Sequence, residues 1–106
     1  MIEARLIVPA LGANQKPIPH YSIKRELIER FGGYTQTLGE GGWKSPSGKV
    51  ITESVCVYDI ALHPTRKHAL LHFAASIALI HGQECVYVRF GRNSVRFVKP
   101  AGTVGL

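Results

Sequence analysis

The sequence predicts an α+β sandwich, in which two helices cover one face of an antiparallel sheet. Three observations predict it. Two segments, 22–33 and 63–82, carry apolar residues at helical spacing. The segments around them alternate with period two, giving the order β-α-β-β-α-β and one further strand. With 106 residues, 45% of them hydrophobic, the chain can bury a single core.

The elements follow in order. Ala4, Leu6, Val8 and Ala10 alternate with Arg5, Ile7 and Pro9, a first strand apolar on both faces. A loop through Gly12, Asn14, Pro17 and Pro19 leads to Ser22, read as the N-cap of a helix. That helix carries Ile23, Leu27, Ile28 and Phe31 and stops at Gly32-Gly33. Tyr34 to Leu38 reads as a short second strand. The glycines from Gly39 to Gly42 and the turn residues Ser45-Pro46-Ser47-Gly48 then read as a loop, and Val50 to Leu62 as a long third strand. His63-Pro64-Thr65 opens a second helix with Ala69, Leu70, Phe73, Ala74, Ile77, Ala78 and Ile80, ended at Gly82. Cys85 to Phe90 is a fourth strand, and Gly91-Arg92-Asn93 turns it back into a fifth, Ser94 to Val98. This is the order of a ferredoxin-like sandwich with an added C-terminal strand. Residues 1–99 are expected to form one domain, with 100–106 as a tail.

The third strand bears on assembly. Ile51, Val55 and Val57 share one side with Glu53 and Asp59, while Cys56, Tyr58, Ile60 and Leu62 take the other. Both sides are too apolar for either to face water, and the helices can cover only one. Leu71, Ala75 and Leu79 also widen the apolar surface of the second helix. A homo-oligomer follows as an expectation.

Composition narrows the compartment and the partners. No run approaches the roughly 18 apolar residues of a membrane span, and Met1-Ile2-Glu3-Ala4 lacks the basic head of a secretion signal, so a cytoplasmic protein is expected. Cys56 and Cys85 fall in apolar strand patterns without metal-site spacing, which predicts two buried, reduced thiols. The formal charge of +6 invites a polyanion. The basic residues are nevertheless scattered from Arg5 to Lys99 with no block of five, so nucleic-acid binding is expected to be at most weak and non-specific.

Most chemistry-bearing motifs fail on inspection. His68 and His72 stand at a metal-ligand spacing, but Ser76 continues their polar line, which reads as a solvated helix face. Gly39 to Ser45 lacks the spacing of a phosphate loop and leads into a strand instead of a helix. No Gly-x-Ser-x-Gly elbow is present, and no metal or cofactor is predicted.

What remains is the stretch from Phe31 to Glu53. It sets the only Trp, Trp43, and a lone acid, Glu53, beside glycines that let a ligand approach the backbone; a plain hairpin tip has the same composition. A carboxylate in line with Ile51, Val55 and Val57 needs water, a ligand cation or an ion-pair partner such as Lys49 or Arg89. Gln83 and Glu84, between the second helix and the fourth strand, add polar groups where this fold can line an inter-subunit groove, or simply form a loop.

From Phe31-Gly-Gly-Tyr34 through Trp43 and Glu53 to Val55-Cys-Val-Tyr58 and Gln83-Glu84-Cys85-Val86-Tyr87-Val88, the chain resembles the small phage-encoded S-adenosylmethionine lyases. The resemblance covers about residues 22 to 90, with its strongest local match at Gln83 to Val88. It implies a trimeric, PII-like ferredoxin fold with the ligand between subunits. It implies Glu53 as the active-site acid, Gln83 and Glu84 as the ligand-positioning pair, and Tyr34 or Trp43 against the adenosine. Trp43 stands where the family carries a Tyr, and the stretch to the acid is about one residue shorter. The implied reaction is intramolecular: the substrate carboxylate attacks its own γ-carbon and the sulfonium leaves, giving methylthioadenosine and homoserine lactone. Two other classes stay open, a PII-like nucleotide-binding regulator without chemistry and a phage or mobile-element protein that binds a host macromolecule.

Overall fold

Eight elements make up the computed structural model, which describes residues 1–103. β1 spans Ile2–Pro9, α1 His20–Phe31, β2 Thr35–Lys44 and β3 Val50–Leu62. A 3-10 turn over Pro64–Arg66 then leads into α2, Lys67–Ile80, followed by β4, Val86–Phe90, and β5, Ser94–Val98. The strands form one sheet in the order β2-β3-β1-β4-β5, every neighbouring pair antiparallel. This is the expected ferredoxin-like α+β arrangement, with β5 added outside β4.

One side of the sheet holds the core. Ala4, Leu6 and Val8 of β1, Tyr58, Ile60 and Leu62 of β3, and Val86, Val88 and Phe90 of β4 are buried against Ile23 and Leu27 of α1 and Leu70, Phe73, Ala74 and Ile77 of α2. Alternate residues of the same strands therefore point to the side without helices, hereafter the open face. The division of β3 into two sides is the one its alternation predicts.

Helix ends obey local chemistry, with two corrections. Gly32 adopts φ 92° and its N–H reaches the Ile28 carbonyl, a left-handed stop that a side chain would disfavour. The N-cap of α1 is Pro19, not Ser22: the Pro19 carbonyl accepts from the Ser22 and Ile23 amides, and no side chain caps the helix. At the other helix, the His63 ring accepts from the Thr65 amide and Pro64 begins the 3-10 turn, so α2 proper starts later than the sequence suggests.

The glycine-rich segment is a strand and not a loop. β2 continues through Gly39, Gly41, Gly42 and Trp43 to Lys44, in unbroken register with β3 from Thr35 opposite Asp59 to Lys44 opposite Val50. None of these glycines has positive φ. The turn is carried by Ser45 to Lys49, where the Ser45 amide donates to the Lys49 carbonyl at 2.8 Å and Gly48 takes φ 86°. Pairing along a thirteen-residue partner outweighs the weak strand preference of glycine. Because β1 pairs with β3 only from Leu62 to Val55, the segment Val50 to Ser54 has β2 as its sole neighbouring strand. The end of the β2–β3 ribbon overhangs the sheet.

Cys56 is buried as expected, but Cys85 lies before β4 and is exposed; both are free thiols. Partial burial of its sulfur and the charge of Glu84 nonetheless raise the Cys85 thiol above its ordinary pKa, against an opposing pull from Lys99. Leu79 and Ile80 at the end of α2 are exposed, in keeping with its wide apolar surface. The start of the C-terminal segment is tied to the body, the Ala101 amide donating to the Ala75 carbonyl at 3.0 Å. Residues 104–106 of the expected tail lie outside the described residues. No described helix is long and apolar enough to cross a membrane.

Candidate functional site between the ribbon and the open sheet face

Strand register decides which side chains meet on the open face. Glu53 stands opposite Gly41, Val55 opposite Gly39 and Ile51 opposite Trp43. The two glycines present no side chain of their own across from Val55 and Glu53, and the methyls of Val55, itself buried, lie toward them between the indole of Trp43 and Thr37. A Cβ at Gly41 would come within 3.5 Å of a Val55 methyl and 4.0 Å of the Glu53 side chain, ordinary contact distances. Trp43 is 47% exposed. Glu53 is exposed too, and none of the ion pairs among the described residues includes it. Its carboxylate is thus free of the Lys49 and Arg89 partners that a purely structural role would use.

From Val57 onward, apolar side chains continue from this spot across the sheet. Thr37, Val57, Ile7, Tyr87 and Phe97 form one row through all five strands, by their pairings. Tyr87 and Phe97 pack edge to face at 5.9 Å, and Phe97 is 68% exposed. The next row holds an ion pair, Arg5 donating to both oxygens of Asp59 at 2.8 and 3.0 Å. That bond raises the guanidinium above its ordinary pKa. Arg89, opposite Arg5 on its other side, has a buried Nε without an acceptor.

The five residues singled out from the sequence fall into separate neighbourhoods of one chain. Trp43 and Glu53 share the open face at the overhanging ribbon. Gln83 and Glu84 lie in the connection between α2 and β4, on the far side of β1 from β3. There the Gln83 side chain donates to the His81 carbonyl at 3.2 Å, while Glu84 is exposed. Tyr34 is elsewhere. It packs edge-on against Tyr58 at 5.7 Å on the helix side, lining a shallow groove of about 280 Å³ with Tyr21, Arg25 and Ile28. Nine residues of extended chain, about 30 Å, separate it from Trp43.

One pair, buried Tyr58 and half-buried His20, was not singled out from the sequence. The ring of His20 joins the Tyr58 hydroxyl through Nδ1 and the Pro9 carbonyl through Nε2, the latter at 2.8 Å. The carbonyl can only accept, so Nε2 carries the proton and Nδ1 accepts from the phenol. Burial, with Cys56 adding to it, pushes the Tyr58 phenol well above its ordinary pKa. The alternation of β3 marks Tyr58 as core; its partner, eleven residues beyond Pro9 and outside any strand, has no comparable sequence signal. His81 is pushed below its ordinary pKa chiefly by burial. Among the described residues no three His, Cys, Asp or Glu side chains are grouped to hold a metal.

Comparison of whole folds finds two solved structures of a phage S-adenosylmethionine lyase. One, in complex with S-methyl-5'-thioadenosine, matches with a TM-score of 0.70 over 97% of this chain and 92% of its own, at 14% identity. The other, in the apo state, matches with a TM-score of 0.67 over the same shares, also at 14% identity. This chain has the fold of the phage S-adenosylmethionine lyases. The likeness reaches residues before 22 and after 90, beyond the stretch where the sequence itself resembles that family. No family profile matches the sequence, and no curated protein does.

Proposed function

We propose that this chain assembles into a homo-oligomer, a trimer ahead of a dimer, that binds an adenosine-type ligand between subunits. We further propose that it cleaves S-adenosylmethionine to methylthioadenosine and homoserine lactone. The observation that carries the reading is the exposed, unpaired carboxylate of Glu53 beside Trp43, in a chain that shares its fold with a lyase bound to methylthioadenosine. Oligomerisation supplies what one chain lacks, because Gln83, Glu84 and Tyr34 lie apart from Glu53 within a protomer and a neighbouring copy can bring its own set to the ribbon. The apolar row from Val57 to Phe97 and the overhanging ribbon are the surfaces such packing would cover.

The chemistry asks little of the protein. In the substrate a carboxylate oxygen bonds to the γ-carbon as the carbon–sulfur bond breaks, and sulfur keeps the electron pair. Glu53 would hold the sulfonium end, the indole of Trp43 would take the adenine or the cation against its face, and Gln83 and Glu84 would orient the amino-acid portion. Charge is neutralised along the reaction, so attraction to the sulfonium cannot by itself accelerate it; holding the folded conformer in a dry groove must.

One observation favours a second reading. An indole at position 43 has no hydroxyl to orient a substrate, which suits a PII-like regulator that binds a nucleotide without chemistry. Titration of methylthioadenosine against Trp43 fluorescence, with light scattering on the same sample, tests the shared groove. Saturable quenching by an oligomer is expected, and a monomer near 11.6 kDa with no quenching would overturn the proposal. Product formation from S-adenosylmethionine separates enzyme from regulator.

A further inference from the structure

A second surface lies away from this groove, where α2 begins. The Arg66 guanidinium donates to the Arg30 carbonyl at 3.0 Å and stands 5.4 Å from the centroid of the Phe31 ring. The Lys67 ammonium lies 5.7 Å from the Phe90 ring, and Arg30 lies 5.7 Å from Phe73. Arg30 is paired with Glu26. Arg66 and Lys67 take part in none of the ion pairs among the described residues, nor does Arg92, exposed in the turn just after Phe90. The first turn of α2 carries no acid to offset these cations.

We infer that this end of the molecule is a docking surface for the phosphate backbone of nucleic acid. Aromatic faces hold Arg66 and Lys67 in place without neutralising them, which lowers the entropy lost when they meet an anion. Phe73 and Phe90 are 7% and 6% exposed beneath their cations, so those two rings offer no apolar anchor to a protein partner or to lipid chains, and the half-buried Phe31 ring lies beneath Arg66. What the surface presents is positive charge spread over the end of α1, the start of α2 and the β4–β5 turn. Contact through charge alone predicts binding that ignores sequence and falls steeply with salt.

The test compares the full-length protein with two triple variants of equal charge change. Arg66→Gln/Lys67→Gln/Arg92→Gln alters the patch, and Lys16→Gln/Lys44→Gln/Lys49→Gln alters cations elsewhere. Anisotropy of a labelled single strand of about 20 nucleotides is followed from about 50 to 200 mM salt. The patch variant is expected to lose at least about tenfold in affinity at low salt, and its slope of log K against log salt should flatten by about 2, from three phosphate contacts at about 0.7 each. The control should stay within about twofold. Because Arg66 also braces α1 against α2, Lys67→Gln/Arg92→Gln is measured beside it and should flatten the slope by about 1.4. Equal losses in patch and control, no binding by the wild type at the lowest salt, or displacement of the strand by polyglutamate at equal charge would each overturn the inference.

Discussion

Gly41 stands directly opposite Glu53 in the β2–β3 ladder, so this unpaired acid of the open face looks across at a position with no side chain. The sequence lists the two residues twelve positions apart, on either side of a turn. Only the register of a ten-residue strand brings them together.

Replacing Glu53 by Gln removes a charge and almost nothing else. The residue is exposed and unpaired, so the melting temperature should stay within about 1 °C of wild type. Affinity for a cationic adenosine ligand should fall by about 1.5–3 kcal/mol, the loss of a charge-assisted contact. Calorimetric titration and thermal melting on the same variant check both halves. Lowered stability with unchanged affinity would make Glu53 a structural residue.

Gly41→Ala is expected to act the other way round on stability. The new Cβ meets Val55 at 3.5 Å without a clash, and an alanine restricts the unfolded chain, so stability should hold or rise by up to about 1 kcal/mol. The same methyl projects from the glycine strip to within 4.0 Å of the Glu53 side chain. Ligand affinity should drop several-fold, measured by quenching of Trp43.

Much of the fold was legible because burial and period coincide. In β3 the alternation of Cys56, Tyr58, Ile60 and Leu62 against Val55, Val57 and Asp59 sorts the two faces correctly, since a strand buried on one side by helices must separate its residues by twos. Gly32 marked the end of α1 for a reason equally local, its left-handed φ. The segment Gly39 to Trp43 was misread as a loop because local preference is all a sequence window shows, whereas the partner strand that fixes it is supplied from the far side of a turn. Cys85 was misplaced for a similar reason. Its apolar neighbours belong to β4, but β4 begins one residue later, at Val86. For the site, residue types could nominate Glu53 and Trp43, which do share a face, but could not reveal that Tyr34 lies on the opposite side of the sheet.

The Tyr58 phenol, buried against His20, predicts an alkaline limit to stability. Its pKa in the folded chain is raised above the unfolded value of about 10. The neutral phenol is therefore the form the fold favours. Its contribution is complete below pH about 10 and is lost as pH rises from there toward the folded pKa, at about 1.4 kcal/mol per unit. Denaturant melts of wild type should lose stability above that pH, and Tyr58→Phe should lose less. The variant should also be weaker at neutral pH by about 1 kcal/mol, because His20 Nδ1 is left without its donor.

Incubation of the purified protein with S-adenosylmethionine, followed by chromatography and mass analysis of the products, tests the central claim most directly. The account predicts methylthioadenosine and homoserine lactone in equal amounts, at a rate that falls in Glu53→Gln. Unchanged S-adenosylmethionine, together with no saturable binding of methylthioadenosine, would contradict it.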